Sequence, residues 1–166
     1  MTLYATSCSS SAFCVSVGEV GIPDFDAFPL VETYSGGVWT ASIAPTPANA
    51  NTNELTGGFT SVSCPADGEC AATGFYDAYL PATQSAAQSP LLDNLSDGSW
   101  STSEGSLPVA GPEGIEPSVA VSCPSTTSCN AVGTWSRSSV GLLWQWGPTG
   151  WSMQQLPTPP GDIISL

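Results

Sequence analysis

Short stretches of alternating apolar and polar residues recur along the whole chain, separated by Ser, Gly, Pro and Asp. Phe59-Thr60-Ser61-Val62-Ser63, Leu30-Val31-Glu32-Thr33-Tyr34 and Val38-Trp39-Thr40-Ala41-Ser42-Ile43 are representative. Their period of two is that of a half-buried β-strand, and none carries the 3.6-residue period of a convincing helix. The pattern predicts an all-β chain.

The stretches are organised as a repeat. Six cysteines form three C-x5-C pairs, Cys8/Cys14, Cys64/Cys70 and Cys123/Cys129, with first members 56 and 59 residues apart. Ser7, Ser63 and Ser122 each precede the first cysteine, and Gly18, Gly74 and Gly133 close the apolar segment after the second. A leucine segment follows, beginning at Leu30, Leu91 and Leu142, with Trp39, Trp100 and Trp151 each nine residues later. Every unit reads as four short strands: a into the first cysteine, b after the second, c on the leucines and d on the tryptophan. Ser35-Gly36-Gly37, Ser96-Asp97-Gly98 and Gly147-Pro148-Thr149-Gly150 supply c–d hairpin turns. The d–a linkers hold Pro45, Pro47, Pro108, Pro112, Pro157, Pro159 and Pro160, which disfavour helix and central strand.

Four antiparallel strands repeated at this period are the grammar of a β-propeller blade. A solenoid needs a shorter period, a sandwich does not repeat its strand order so regularly, and separate domains this small would be marginal. The expected architecture is therefore β-propeller-like, with three four-stranded antiparallel blades per chain, each with one C-x5-C disulfide. The chain, 1–166, reads as one repeat domain. Blade 1 spans about 1–47, blade 2 about 55–108 and blade 3 about 115–160, with 161–166 expected as a strand shared with a neighbouring blade or chain.

Composition narrows the function. One basic residue, Arg137, stands against 14 acidic ones, with no lysine or histidine and a net charge of −13. Nucleic-acid binding needs several cations to displace phosphate counterions. Ser-His-Asp and Cys-His catalysis lack their base, and a phosphate loop lacks its lysine. Histidine-based zinc sites and polybasic membrane anchors are excluded as well. No apolar run of about 18 residues is present to span a membrane. Ser and Thr supply 41 residues, and six Trp, five Phe and four Tyr are available for a core. Paired cysteines in such a chain point to an oxidising compartment. Each small loop closed by a disulfide would add about 2 kcal/mol through chain entropy. Met1-Thr2-Leu3-Tyr4 has neither a basic n-region nor an apolar h-region, so if the protein is secreted its signal has been removed from this chain or replaced by Met1.

The pattern SC-x5-C-x-A-V-G, a leucine strand, then G-x-W and a Pro-rich tail resembles a blade-like repeat in secreted proteins of high-GC Gram-positive bacteria. Thr73 departs from the valine of the other units, and unit 1 lacks the proline that Pro65 and Pro124 supply. The resemblance implies a propeller-like scaffold, secreted or at the cell surface, and no activity. Three blades are fewer than the usual four to eight or so. Continued from the last residue to the first, the distance from Trp151 to Cys8 is 23, matching 23 and 25 in the other units. Self-association is therefore expected, as a dimer closing a six-bladed ring or as a head-to-tail polymer, or else the chain is a piece of a longer propeller.

Function is sought where the units differ. The b–c connections, 11, 16 and 8 residues long, carry aromatic residues beside polar or charged ones. Asp24, Phe25, Asp26 and Phe28 lie in the first, Tyr76, Asp77 and Tyr79 in the second, and Trp135 and Arg137 in the third. Such pairs suit a glycan or another surface ligand, or else cover a neighbouring blade. Trp39, Trp100 and Trp151 are expected to be structural. No catalytic residue, cofactor or metal is assigned. Asp24/Asp26 and Asp93/Asn94/Asp97 are sparse oxygen ligands for calcium, and Asn94-Leu95-Ser96 matches an N-glycosylation acceptor. A carboxylate hydrolase would need Glu32 and Asp93 to face one channel. The leading expectation is a secreted, non-catalytic recognition module, and the alternative is a structural protein whose units assemble.

Overall fold

The computed structural model describes residues 1–21, 27–52, 56–81, 84–108, 119–135 and 140–158. The described residues form twelve strands and no helix. Sheet 1 holds β1 (Thr2–Ser10), β2 (Phe13–Gly21), β3 (Ala27–Ser35) and β4 (Val38–Ile43). Sheet 2 holds β5 (Gly57–Ala66), β6 (Glu69–Leu80), β7 (Ser85–Ser96) and β8 (Ser99–Glu104). Sheet 3 holds β9 (Ala120–Ser125), β10 (Ser128–Trp135), β11 (Val140–Gly147) and β12 (Gly150–Gln155). Each sheet is an antiparallel meander in sequence order. The three cysteine pairs are disulfides joining the first strand of each sheet to the second. They suit an oxidising, extracellular environment. Residues 161–166, expected as a shared strand, lie outside the described residues.

Two features differ from the sequence reading. Strands run beyond their motifs: β5 continues past Cys64, and β6 and β7 absorb most of the expected b–c loop, leaving a short turn. The d–a linker 47–52 is also more than a spacer. Ala50 bridges Ala78, Asn51 N–H donates to the Asp77 carbonyl at 2.8 Å, and Tyr79 N–H donates to the Asn49 carbonyl at 2.7 Å. Main-chain groups bared by the extended hairpin find partners in the nearest polar segment, as buried amides must.

The sheets stack front to back. Alternation along β2 and β3 puts Val15, Val17 and Val31 on the front face of sheet 1, all fully buried. They meet Val62, Ala72, Leu91 and Leu95 on the back of sheet 2. The front of sheet 2, with Ala71, Thr73 and Leu92, packs on a back face of sheet 3 bearing Val119, Ala131, Leu142 and Trp144. Burial of these aliphatic and aromatic side chains is the main driving force for stacking.

The repeated motifs acquire causes here. Ser7 Oγ accepts from Cys64 N–H, and Ser63 Oγ accepts from Cys123 N–H, both at 3.0 Å. Ser7 and Ser63, each in its Ser-Cys dipeptide, thus cap the exposed backbone of the next sheet's first strand. The glycine after the second cysteine permits a backbone crossing: a Cβ on Gly18 or Gly74 would lie 1.9 Å from the carbonyl oxygen of Thr2 or Gly58. At the same height β1 and β5 each carry a register shift. In the c–d turns, Gly36 and Gly37, and Asp97 and Gly98, all take positive φ, as two-residue hairpin turns require.

Candidate functional site

The best-defined candidate is the extended β6–β7 hairpin with its bracing linker. Tyr76 is fully buried on the back face of sheet 2. Its hydroxyl donates to Asn49 Oδ1 at 2.9 Å, and Asn49 Nδ2 donates to Glu104 Oε2 at 3.1 Å. Burial, reinforced by the Glu104 charge, holds the Tyr76 phenol well above its ordinary pKa. Asp77 is half-buried, and its backbone is clamped between Asn51 and Thr56. Burial raises its carboxyl pKa, opposed by a hydrogen bond from Thr56. Tyr79 points outward with 39 % of its surface exposed. It borders an open groove of about 430 Å³ lined by Ala48, Asn49, Ala50, Asn51 and Thr52. A second cleft of about 110 Å³, between sheets 2 and 3 beside Glu69 and Thr126, is much smaller.

The other sequence candidates do not converge on this site. Asp24, Phe25, Asp26 and Arg137 lie outside the described residues. Phe28 is half-buried on β3, opposite Val20. Trp135 corrects the sequence reading: it is 8 % exposed and packed with Leu92, Leu142 and Trp144, so its ring serves the core. Tyr76 is corrected likewise. Period-two alternation carried the signal, because Tyr76 shares a strand face with Ala72 and Gly74, and Trp135 with Ala131 and Gly133. Of the candidate aromatics among the described residues, Tyr79 is the exposed one, at 39 %.

The tryptophan column also divides. Trp100 packs on Phe59, and Trp151 packs on Trp146 while donating from Nε1 to Asn94 Oδ1 at 2.8 Å. Trp39 leans on Tyr34 and remains 49 % exposed. Asn94 is thus engaged at the sheet 2–sheet 3 interface, half-buried and bonded to Trp151.

Among the described residues, the two carboxyls that a hydrolase would need, Glu32 and Asp93, lie on different sheets. Asp93 is fully buried on the back of sheet 2, beneath sheet 1, with no hydrogen-bond partner at either oxygen. Burial pushes its pKa up to about 8, opposed by the nearby Thr102 hydroxyl. Glu32 occupies the corresponding place on sheet 1, whose opposite face carries Val31 against sheet 2. Sheet 1 therefore separates the two carboxyls, so this pair does not form the shared channel that a carboxylate hydrolase would need. Asn94 faces sheet 3 while Asp93 faces sheet 1, so these two do not point together at a cation. Among the described residues, no three His, Cys, Asp or Glu side chains gather as a metal site. None of them forms a helix long and apolar enough to cross a membrane.

Fold and site together define an all-β chain of three repeated, disulfide-pinned sheets with one elaborated hairpin. It matches no protein-family model, no curated protein and no solved structure.

Proposed function

We propose that this chain is an extracellular, non-catalytic, β-propeller-type recognition module that takes a carbohydrate at the Tyr79 groove. The carrying observation is the elaborated hairpin of sheet 2. Its strands of 12 residues exceed the 9 of β2 and β3 and the 8 of β10 and β11. The extra length is hydrogen-bonded to the linker backbone and carries an exposed tyrosine near its end. Packing between sheets uses Tyr76 and Ala78 from this hairpin and leaves Tyr79 outside. A fixed aromatic ring beside a groove edged with amide and hydroxyl side chains is suited to the apolar face and hydroxyls of a sugar. The test is binding of the purified chain to a panel of immobilised oligosaccharides. Binding is expected for at least one class and is lost in Tyr79→Ala with an unchanged melting temperature. Absence of binding across the panel, or binding indifferent to Tyr79→Ala, would overturn the reading.

A second reading, assembly, is favoured by a separate observation. The back face of sheet 1 exposes Trp39 and Ile43 on β4, whereas Trp100 and Trp151 in the equivalent strands are packed. An exposed aromatic and aliphatic cluster of this kind marks an interaction surface.

A further inference from the structure

Two interfaces within the chain are built alike, and their pattern specifies a third. The front of sheet 1 meets the back of sheet 2, and the front of sheet 2 meets the back of sheet 3. At the second interface, Cys123 N–H donates to Ser63 Oγ at 3.0 Å and Trp151 Nε1 donates to Asn94 Oδ1 at 2.8 Å. At the first, Cys64 N–H donates to Ser7 Oγ at 3.0 Å. The repeat register makes Ser7, Ser63 and Ser122 equivalent, and likewise Thr33, Asn94 and Gln145. Cys8, Cys64 and Cys123 form a third set, and Trp39, Trp100 and Trp151 a fourth.

The members left over are complementary. Ser122 and Gln145, both exposed, stand on the front of sheet 3. Gln145 Nε2 donates to Asn130 Oδ1 at 3.1 Å, leaving the amide oxygen as the free acceptor. Cys8 and Trp39 stand on sheet 1. β1 is an edge strand, and Cys8 lies directly opposite Cys14 with Cα atoms 4.0 Å apart, the close spacing of a non-hydrogen-bonded pair. Cys8 N–H therefore points away from β2, as the Cys64 and Cys123 N–H groups point away from their own sheets. Apolar surface accompanies these groups: Trp39 and Ile43 are 49 % and 58 % exposed, and Val132 on the front of sheet 3 is 44 % exposed.

We propose that the back face of sheet 1 docks on the front face of sheet 3 in a second copy of this chain. Trp39 Nε1 donates to the Gln145 side-chain oxygen, and Cys8 N–H donates to Ser122 Oγ. The reciprocal contact closes two copies into a ring of six sheets, within the four to eight or so blades that propellers use. Where sheets 2 and 3 carry Val62 with Ala72 and Val121 with Ala131, sheet 1 has Thr6 bonded to Ser16 at 2.8 Å. That mixture of polar and apolar surface suits a face that is solvated before association. At a net charge of −13 per chain the copies repel, and the contacts invoked are all uncharged.

The inference is independent of sugar binding, and Tyr79→Ala is expected to leave it untouched. The test is light scattering on the purified chain over a concentration series, with unchanged near-ultraviolet circular dichroism certifying the fold of each variant. A species of twice the 16.9 kDa chain mass is expected, tightening as salt screens the repulsion. Trp39→Ala and the surface change Gln145→Ala should each raise the dimer Kd about tenfold or more, as loss of a hydrogen bond and its surrounding contact would. The double variant should be less than additive, since both remove one bond. A monomer at several hundred micromolar, an open-ended series of larger species, or a dimer indifferent to both changes would overturn the proposal.

Discussion

The indole Nε1 of Trp151 donates to Oδ1 of Asn94 across 2.8 Å, joining the last strand of sheet 3 to the third strand of sheet 2. The tryptophan recurs in every unit, and the residue equivalent to Asn94 on sheet 1 is the shorter Thr33. Both partners are half-buried, so a lost acceptor leaves an indole N–H short of solvent. Asn94→Ala is expected to destabilise the chain by about 1–2 kcal/mol. Asn94→Asp, which keeps an acceptor, should recover much of that. Urea unfolding of the three proteins measures the difference, and an Asn94→Ala protein as stable as the parent would remove the bond from the interface.

Asp93 makes the stability of the chain depend on pH. Its folded pKa of about 8 lies above the ordinary 3.8, so between these values the folded state holds a proton that the unfolded chain has released. Stability is therefore full below about pH 4 and falls as pH rises through 8, by up to about 1.4 kcal/mol per unit. Asp93→Asn removes the titration, and its unfolding free energy should be flatter across this window. Few groups in a chain without histidine titrate near neutrality, and composition alone gave no sign of this one. The check is chemical denaturation at pH 5, 6.5 and 8; parent and variant curves with the same slope would show that Asp93 is ionised in the fold.

What was legible in the chain was local and periodic. The C-x5-C pairs, alternating strands and glycine turns identify the strand order and the cysteine pairing, because each is set by neighbours along the sequence. Contacts between sheets were less visible. The Asn49–Tyr79 and Asn51–Asp77 backbone bonds join a proline-rich linker to a hairpin almost thirty residues away, and nothing in either segment announces the other. Tyr76 and Trp135 were misread because aromatic residues near variable connections suggest ligand contacts. Their alternation with Ala72 and Ala131 pointed instead to the core. The burial of Asp93 follows from sheet 1 lying over it, a relation that strand periodicity does not carry.

The three disulfides should not contribute equally. Each closes the same short loop, worth about 2 kcal/mol by chain entropy. Cys64–Cys70 also packs among the buried residues between sheets 1 and 2, whereas in the first pair Cys8 is exposed and Cys14 half-buried. Replacing Cys64 and Cys70 by alanine should therefore lower stability by more than the entropy figure, and replacing Cys8 and Cys14 by about that figure alone. Urea midpoints of the two double variants settle the order, and equal losses would show that packing around Cys64–Cys70 adds nothing.

Gly74 is set by backbone contact and should tolerate no side chain. An added Cβ would stand 1.9 Å from the Gly58 carbonyl oxygen and 2.7 Å from the Phe59 Cα, both main-chain atoms that cannot rotate aside. Relief would require β5 to move away from β6, and β5 touches both neighbouring sheets through Cys64 and Ser63. Gly74→Ala is thus expected to destabilise by more than about 3 kcal/mol, in the range reserved for disrupted packing. Gly147→Ala is the matched control, since nothing lies within 4 Å of its added Cβ. Thermal unfolding of both variants separates the steric account from a general intolerance of alanine: a large loss at Gly74 with little at Gly147 is expected, and comparable effects would refute it.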